Sequence, residues 1–192
     1  AAANVDASRG AEPDADAAPL VWRASLWFVG DSGSLPAPSL AAALGLELAW
    51  SSLQLRAVGT LWLEQHTRVA GDSALGGDVQ LATGALLACM SPVAAARREL
   101  SAFLCGGGEL GRLSGTGTGV VEPRTGQRLW AAARLSGDLF WSIPSTSLRL
   151  GAQLALVVPL IRDDFVLDGI GSVHRPSSLV GRAGLGLDVA FE

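Results

Sequence analysis

The sequence predicts an all-β fold, an eight-stranded antiparallel up-and-down transmembrane β-barrel. Hydrophobic residues make up 49% of the 192 residues. Even so, no run comes near the ~20 apolar residues that a membrane-spanning helix needs. Apolar side chains instead alternate with small or polar ones through eight segments, each long enough for a tilted crossing of roughly 9–11 residues. Such alternation is typical of a membrane barrel, because each strand then has one face for lipid.

Residues 1–19 form a polar lead-in, and the barrel is expected over 20–192. The lead-in contains mainly Ala, Asp, Glu and Pro without an apolar period, so we expect it to be mostly unstructured. The opening Ala-Ala-Ala suits a mature chain after cleavage at small residues. It suits the C-terminal part of a longer protein equally well.

The first half of the chain supplies predicted strands at 20–29, 40–50, 53–64 and 78–88. The second strand alternates almost without error, since Leu and Ala at even positions oppose Ala, Gly and Glu47 at odd ones. In the first and third strands, the apolar face opposes Arg23 and Arg56 respectively. In the fourth strand, Leu81 and Leu87 indicate that the odd positions form the lipid face.

The second half supplies predicted strands at 102–113, 128–143, 148–160 and 179–191. The fifth strand has the weakest pattern, and its glycine run at 106–108 predicts a bulge or a sharp bend. The sixth strand has the clearest pattern, with leucines opposite Arg134 and Asp138. The eighth has an apolar face opposite Arg182 and Asp188.

The connections differ in length in a regular way. Four are long and rich in Gly, Ser, Pro and Asp: 30–39, 65–77, 114–127 and 162–178. The breaks at 51–52 and 144–146 are tight. Long loops at one end and short turns at the other are typical of an up-and-down membrane barrel, whose short turns are periplasmic. The connection 89–101 departs from this rule, since it lies on the short-turn side but is long enough for a helical turn.

The end of the chain resembles that of bacterial outer-membrane β-barrels, whose last strand closes on an aromatic residue. Phe191 holds that position here. The whole range 20–191 resembles a small eight-stranded barrel of the OmpA/OmpX type, although the sequence has no Tyr and has a long connection between Cys89 and Cys105. The resemblance implies a Gram-negative outer membrane with both termini periplasmic, and assembly by the outer-membrane insertion machinery. It also implies contact with outer-membrane lipids and lipopolysaccharide, and roles in envelope integrity, adhesion or anchoring of other envelope proteins.

A soluble ligand carrier of the lipocalin type is the alternative, with the Leu face inward. Two observations argue against it. The polar face is rich in Ala and Gly, which suit a narrow filled interior better than a water-facing surface. The aromatic residues also sort by height, since Trp27, Trp62 and Trp130 point inward while the others lie on the Leu face. The expected aromatic girdle, with Phe28 at the outer rim and the rest at the periplasmic end, is Trp22, Phe28, Trp50, Trp141 and Phe191.

If the Leu face meets lipid, the charged residues point into the lumen. Unpaired charges in so narrow a space are costly, so we expect a network of arginine–carboxylate pairs. The predicted network has a periplasmic group of Arg23, Glu47, Arg56, Asp138, Arg149 and Asp188, and a higher group of Glu109, Arg134 and Arg182. Such a plug fits an eight-stranded interior, which is normally filled. A proton or ion path is the alternative.

Arg112 is the one charged residue whose alternation places it on the Leu face. It lies near the outer end of the fifth strand, where a guanidinium reaches lipid head groups. The alternative is that the glycine run at 106–108 shifts the register of this strand.

Cys89 and Cys105 bracket the fourth connection on the side expected to be periplasmic, which is an oxidising compartment. A disulfide between them would close a loop of about 15 residues and stabilise the fold by ~3 kcal/mol. Two cysteines without a nearby His do not indicate a metal site. No cofactor is expected.

Three functional hypotheses follow. The first is a non-enzymatic structural, anchoring or docking barrel, as one component of a larger envelope complex. The second is a lipid A-modifying enzyme, because His66 shares a loop with Asp72 and Ser73, and His174 shares another with Ser177. The spacing of the second pair differs from the His-x-Ser of deacylase barrels, so no catalytic residue is assigned. The third is a small pore. A net charge of −4 without a basic cluster argues against a nucleic-acid partner.

Overall fold

The computed structural model describes residues 20–50, 52–69, 72–91, 99–118, 125–161, 165–167, 171–174 and 176–191. The lead-in predicted for 1–19 lies outside these ranges. So does the middle of the connection 89–101, where the sequence predicts a helical turn. Within the described ranges, no helix has the length and apolar character of a transmembrane segment.

The regular elements in the described ranges are all β-strands. They are β1 (Val21–Ser32), β2 (Ser39–Trp50), β3 (Leu53–Trp62), β4 (Gln65–Val69), β5 (Asp72–Met90), β6 (Leu100–Thr118), β7 (Thr125–Ser142), β8 (Leu148–Pro159), β9 (Phe165–Leu167), β10 (Gly171–His174) and β11 (Val180–Phe191). Eight of them pair antiparallel with their neighbours along the chain, with β3 beside β5 and β8 beside β11. The barrel closes where β1 pairs with β11. The expected eight-stranded antiparallel up-and-down architecture is therefore confirmed.

Three segments that the sequence predicts as loops contain strands instead. After a break at 63–64, β4 continues beyond β3 and pairs with the start of β5. β6 runs on to Thr118, and its ladder with β7 starts at Thr125. The connection 162–178 contains the β9–β10 hairpin. The prediction failed because Gly, Ser and Thr interrupt the apolar alternation without interrupting the backbone hydrogen bonds.

The side chains of seven barrel strands face as the alternation predicts. Outward leucines are widely exposed, as Leu154 is at 70%, while the intervening small and charged residues are buried in the lumen. The outside of the barrel is thus an apolar belt of leucine side chains. Monomeric soluble proteins rarely expose an apolar surface of this extent, whereas a barrel in lipid requires one.

The facing predicted for the strand at 78–88, which is β5, is wrong. Leu81 and Leu87 are completely buried in the lumen, and Leu86 is 63% exposed on the outside. The pairing gives the reason, since Leu87 lies directly opposite Arg56 on β3. Directly opposed residues of antiparallel strands lie on the same face of the sheet. Both faces of β5 are apolar, so the neighbours decide its facing and hydropathy does not.

The bulge predicted at 106–108 is also wrong. The three glycines pair in an unbroken register with β5 on one side and with β7 on the other. They allow a close approach of two backbones instead, because a Cβ on Gly107 would meet the carbonyl group of Leu86. Since the register does not shift, Arg112 keeps its outward facing and is exposed.

Candidate functional site

The lumen is filled by two clusters of charged side chains. The terminal cluster lies in the half of the barrel that holds the chain ends, and the distal cluster lies in the other half. The terminal cluster consists of Arg23, Glu47, Arg56, Asp138, Arg149 and Asp188, and the distal cluster of Asp31, Glu109, Arg134 and Arg182. Five arginines thus balance five carboxylates. These residues are at most 6% exposed, except Arg23, whose side chain is 20% exposed at the terminal mouth.

Glu47 on β2 is the centre of the terminal cluster. Its Oε2 lies 3.0 Å from Nε and 2.9 Å from Nη2 of Arg56, so two nitrogens of this arginine contact the same carboxylate oxygen. Its Oε1 lies 3.2 Å from Nη2 of Arg149 and 3.7 Å from Nε of Arg23. One buried carboxylate therefore contacts three guanidinium groups.

Two aspartates complete the terminal cluster. Arg56 also donates from Nη1 to Asp138, and Arg149 donates from Nη2 to Asp188 across 2.8 Å. Gln153 then joins the terminal cluster to the distal one. Its amide nitrogen donates to Asp138 over 2.8 Å, and its amide oxygen accepts from Arg134 over 2.5 Å. The network is thus continuous along the barrel axis.

Arg182 on β11 is the centre of the distal cluster. Its Nη1 lies 2.6 Å from Glu109, and its Nε lies 2.8 Å from Asp31. Glu109 also accepts a hydrogen bond of 2.8 Å from the indole Nε1 of Trp130. Arg134 lies 3.9 Å from the same carboxylate. The carboxylate of Glu109 is thereby satisfied by several donors, as a buried charge requires.

Sequence reasoning missed Asp31 and Gln153. The sequence predicts a loop at Asp31, but β1 runs on to Ser32. Asp31 has the same parity as Arg23 and Trp27, so extending the alternation by one step would have placed it inside. Gln153 lies on the inward face of β8, next to Gly151 and Ala155. A polar side chain on that face was the signal that could have added Gln153 to the predicted network.

Aromatic rings fill the space between the charges. Arg149 stacks over Phe140 at 4.3 Å from the ring centroid, and Arg182 stacks over Trp62 at 4.7 Å. Trp27 meets Phe140 edge-on, with centroids 5.8 Å apart. A cavity beside Trp62 and Arg134 has a volume of about 10 Å³, which holds at most about one water molecule.

The connection between β1 and β2 packs against the distal cluster. Ser34 donates to both oxygens of Asp31, from its backbone nitrogen at 2.9 Å and from its hydroxyl at 2.7 Å. Leu35 is buried beneath this turn. Gln65 on β4 binds the same connection through its side-chain amide. The amide oxygen accepts a hydrogen bond of 3.0 Å from the backbone nitrogen of Ala37, and the amide nitrogen donates one of 3.1 Å to the carbonyl of Ala37.

A disulfide joins Cys89 and Cys105. The two residues are directly opposite each other on β5 and β6, and both are buried on the lumen side. The bond therefore links two barrel strands as well as closing the connection between them. The carboxylate of Asp138 lies within 4.8 Å of both sulfur atoms. Because both sulfurs are bonded to each other, they are not available as thiolate ligands for a metal ion.

The residues expected to form an aromatic girdle are all exposed on the outer surface: Trp22, Phe28, Trp50, Trp141 and Phe191. Trp22 and Phe191 are directly opposite each other on β1 and β11. Trp50 and Trp141 lie at the same end of β2 and β7, next to the short turns. Phe28 lies further along β1, away from that end.

Of the two histidines, His66 has a described side chain. Nδ1 of His66 lies 2.7 Å from Oδ1 of Asp78, its cross-strand partner on β5. This pair can orient an imidazole, but nucleophilic catalysis also needs a hydroxyl or thiol beside it, and the described contacts of His66 include none. The side chains of Asp72, Ser73 and His174 lie outside the described set.

No protein-family model and no curated protein matches the chain. Solved structures match over nearly its whole length. A major outer membrane protein from Thermus thermophilus has a TM-score of 0.63 at 12% identity, over 88% of this chain and 99% of that one. Neisserial surface protein A (NspA) has a TM-score of 0.57 at 12% identity, over 90% and 97%. Ail of Yersinia pestis, solved in complex with the heparin analogue sucrose octasulfate, has a TM-score of 0.53 at 11% identity, over 90% and 97%.

These similarities extend from one end of the barrel to the other, and they agree with the strand count, the closure and the apolar exterior. Sequence identity at this level establishes a shared fold. The chain has the fold of the small eight-stranded outer-membrane β-barrels.

Proposed function

We propose that this chain is a non-enzymatic, non-conducting barrel of the bacterial outer membrane, with a structural, anchoring or docking role. The observation that carries the proposal is the filled lumen. Five arginines and five carboxylates pair along the axis, and the cavity between the two clusters measures about 10 Å³. An interior packed in this way offers no path for ions or solutes.

The exterior supports placement in a membrane. Its leucines are exposed all round the barrel, and the cost of leaving so much apolar surface in water is removed when acyl chains cover it. The girdle residues at the terminal end, such as Trp22 and Trp141, suit the lipid–water boundary. With the short turns at that end, the proposed orientation has both termini in the periplasm. The proposed partners are outer-membrane lipids, the insertion machinery and other envelope proteins.

Electrical recording tests the absence of conduction. The refolded protein in a planar lipid bilayer is expected to produce no steady current. A double variant, Glu109→Ala with Arg182→Ala, removes the centre of the distal cluster and should produce openings that the wild type lacks. A steady, large conductance of the wild type would contradict the proposal.

A docking role is tested by crosslinking in intact cells followed by purification from detergent-solubilised envelopes. We expect a defined envelope protein to be crosslinked through the distal end, where β4 to β7 extend beyond the apolar belt. A matched sample crosslinked at the terminal end serves as the control. The absence of any crosslinked protein would argue against the docking role. A strain that lacks the gene and keeps an intact envelope would argue against the structural role.

The pairing of His66 with Asp78 keeps lipid modification as the second candidate. Lipid A from strains that carry His66→Ala, His174→Ala or a deletion of the gene is compared by mass spectrometry. Under our proposal, all three strains yield unchanged lipid A. A mass change in the deletion strain that both histidine variants reproduce would favour an enzyme.

A further inference from the structure

The outer surface of the barrel carries an exposed arginine at the distal edge of the apolar belt. Arg112 lies on β6, directly opposite Ala82 on β5 and Leu129 on β7. Among the described residues, no side chain forms an ion pair or a hydrogen bond with its guanidinium. A desolvated guanidinium recruits an anion, and a phosphate matches its planar fork of donors. A cation at this point therefore faces whatever surrounds the apolar belt.

The surface next to Arg112 is indented by a groove of about 890 Å³. Its floor consists of small residues and its walls of leucines: Ala57, Gly59 and Gly84 below, with Leu44, Leu86 and Leu110 at the sides. A Cβ on Gly59 or Gly84 would meet no atom within 4 Å, so the floor is open to the outside. The groove is apolar throughout its outward lining.

Arg112 lies two residues beyond Leu110, which lines the groove, on the same outward face of β6. Gly84 lies directly opposite Leu110, and Ala82, further along β5, lies directly opposite Arg112. Ala82 is small and outward-facing, so no bulky side chain of β5 separates the floor of the groove from the guanidinium. One strand pair thus presents a cation at the distal edge of the belt and, two residues away on β6, an apolar groove on the side towards the middle of the belt.

We propose that Arg112 and this groove bind one phosphorylated membrane lipid, with the phosphate on the guanidinium and an acyl chain along the glycine floor. The proposal rests on the proposed insertion in the outer membrane, because the groove takes an acyl chain only if the belt lies in lipid. The barrel provides an internal comparison, a second outer groove of about 830 Å³ beside Gly137 and Gly181. The arginine next to that groove, Arg182, is turned into the lumen and held by carboxylates. The second groove should therefore bind acyl chains without selecting the head group.

Native mass spectrometry of the detergent-solubilised barrel tests this assignment, with dioleoylphosphatidylglycerol and dioleoylphosphatidylcholine as probes. The wild type is expected to retain the anionic lipid about fivefold more than the zwitterionic one, the preference expected for one basic residue at a charged lipid surface. Arg112→Gln should abolish this preference, and Arg112→Lys should restore most of it. Gly84→Leu should fill the groove and displace the lipid, and its Cβ would meet no atom within 4 Å. Gly137→Leu, an equally open outward glycine in the second groove, should change nothing at the first site.

The outcomes separate this site from the proposed function. Each variant is first shown to be folded in lipid by its shift in gel mobility on heating. A barrel that inserts but retains both lipids equally overturns the lipid site and leaves the proposed function intact. Loss of selectivity in Gly137→Leu as well as Gly84→Leu also overturns it. Competition by inorganic phosphate as strong as by phosphatidylglycerol would show that the groove does not take part. A barrel that never inserts overturns the proposed function itself.

Discussion

Glu47→Gln should destabilise the barrel by about 3 kcal/mol, near the lower end of the cost of breaking a buried ion pair. The Glu47 carboxylate contacts Arg56 at 2.9 Å, Arg149 at 3.2 Å and Arg23 at 3.7 Å. Without its charge, five lumen arginines face four carboxylates, so one buried positive charge is uncompensated. The effect stays near the lower end because Gln has almost the same volume and still accepts one hydrogen bond from Arg56.

The assay is equilibrium unfolding in lipid vesicles with increasing urea, followed by tryptophan fluorescence. Glu64→Gln is the matched control, because Glu64 is an exposed residue just beyond the end of β3. We expect this control to stay within about 0.5 kcal/mol of the wild type, as surface substitutions usually do. Fluorescence reports unfolding from both faces of the barrel wall, since Trp27, Trp62 and Trp130 are buried in the lumen and the other three tryptophans are exposed on the outside.

A double-mutant cycle separates the ion pair from a general loss of packing. Arg56→Gln combined with Glu47→Gln removes one charge of each sign and restores the balance. The double variant should therefore be more stable than the sum of the two single effects implies, by ~1–3 kcal/mol of coupling. If Glu47→Gln costs less than about 1 kcal/mol, or if the two effects simply add, the lumen charges do not act as a network and the reasoning is refuted.

Two further predictions concern packing and covalent structure in the lumen. Gly186→Ala should destabilise the barrel by ~1–3 kcal/mol through overpacking, because its Cβ would lie 2.6 and 2.8 Å from ring carbons of Trp27. Gly137→Ala, where a Cβ meets no atom within 4 Å, should leave the urea midpoint unchanged; equal shifts in the two variants would contradict this. Replacing Cys89 and Cys105 together by Ala should lower stability by ~3 kcal/mol through the loss of loop closure. In the folded wild type, these buried sulfurs should resist reduction and alkylation until urea unfolds the barrel, and labelling of the native protein would show that the lumen is open.

Alternation alone was enough to predict the closed sheet and the two groups of lumen charges, for a physical reason. A barrel strand in lipid must present one face to acyl chains, so its sequence has to repeat with a period of two residues. Arg134 and Asp138 sit on one face of β7 for this reason, and the structure places both inside. The rule weakens where a strand leaves the apolar belt. β4 lies in such a place, where hydrogen bonding continues but apolar residues no longer alternate.

β5 shows where hydropathy carries no information and what replaces it. Both of its faces are apolar, since Leu81 and Leu87 point into the lumen and Leu86 points outward. The sequence nevertheless contained a signal that decides the facing. A disulfide between Cys89 and Cys105 across adjacent strands requires both cysteines to lie on one face, and Cys105 shares its parity with the inward Glu109. The facing of Cys89 then fixes that of Leu87 and Leu81 by parity.

The inward facing of Leu87 and the outward facing of Leu86 can be tested by substitution. Leu87→Asp places a sixth carboxylate in the lumen, opposite an arginine, Arg56, that two carboxylates already engage, whereas Leu86→Asp places the new carboxylate on the outer belt. When unfolding by urea is measured in detergent micelles, Leu86→Asp should be less destabilising than Leu87→Asp. A micelle surface lets water reach a carboxylate on the outside of the barrel. In vesicles, both variants should be destabilised, because neither lipid nor the packed lumen hydrates a charge, with a cost for Leu86→Asp below the ~2–4 kcal/mol of a basic residue on the lipid face. A strand with the reverse facing would exchange the two results in micelles, so the comparison tests the register of β5 directly.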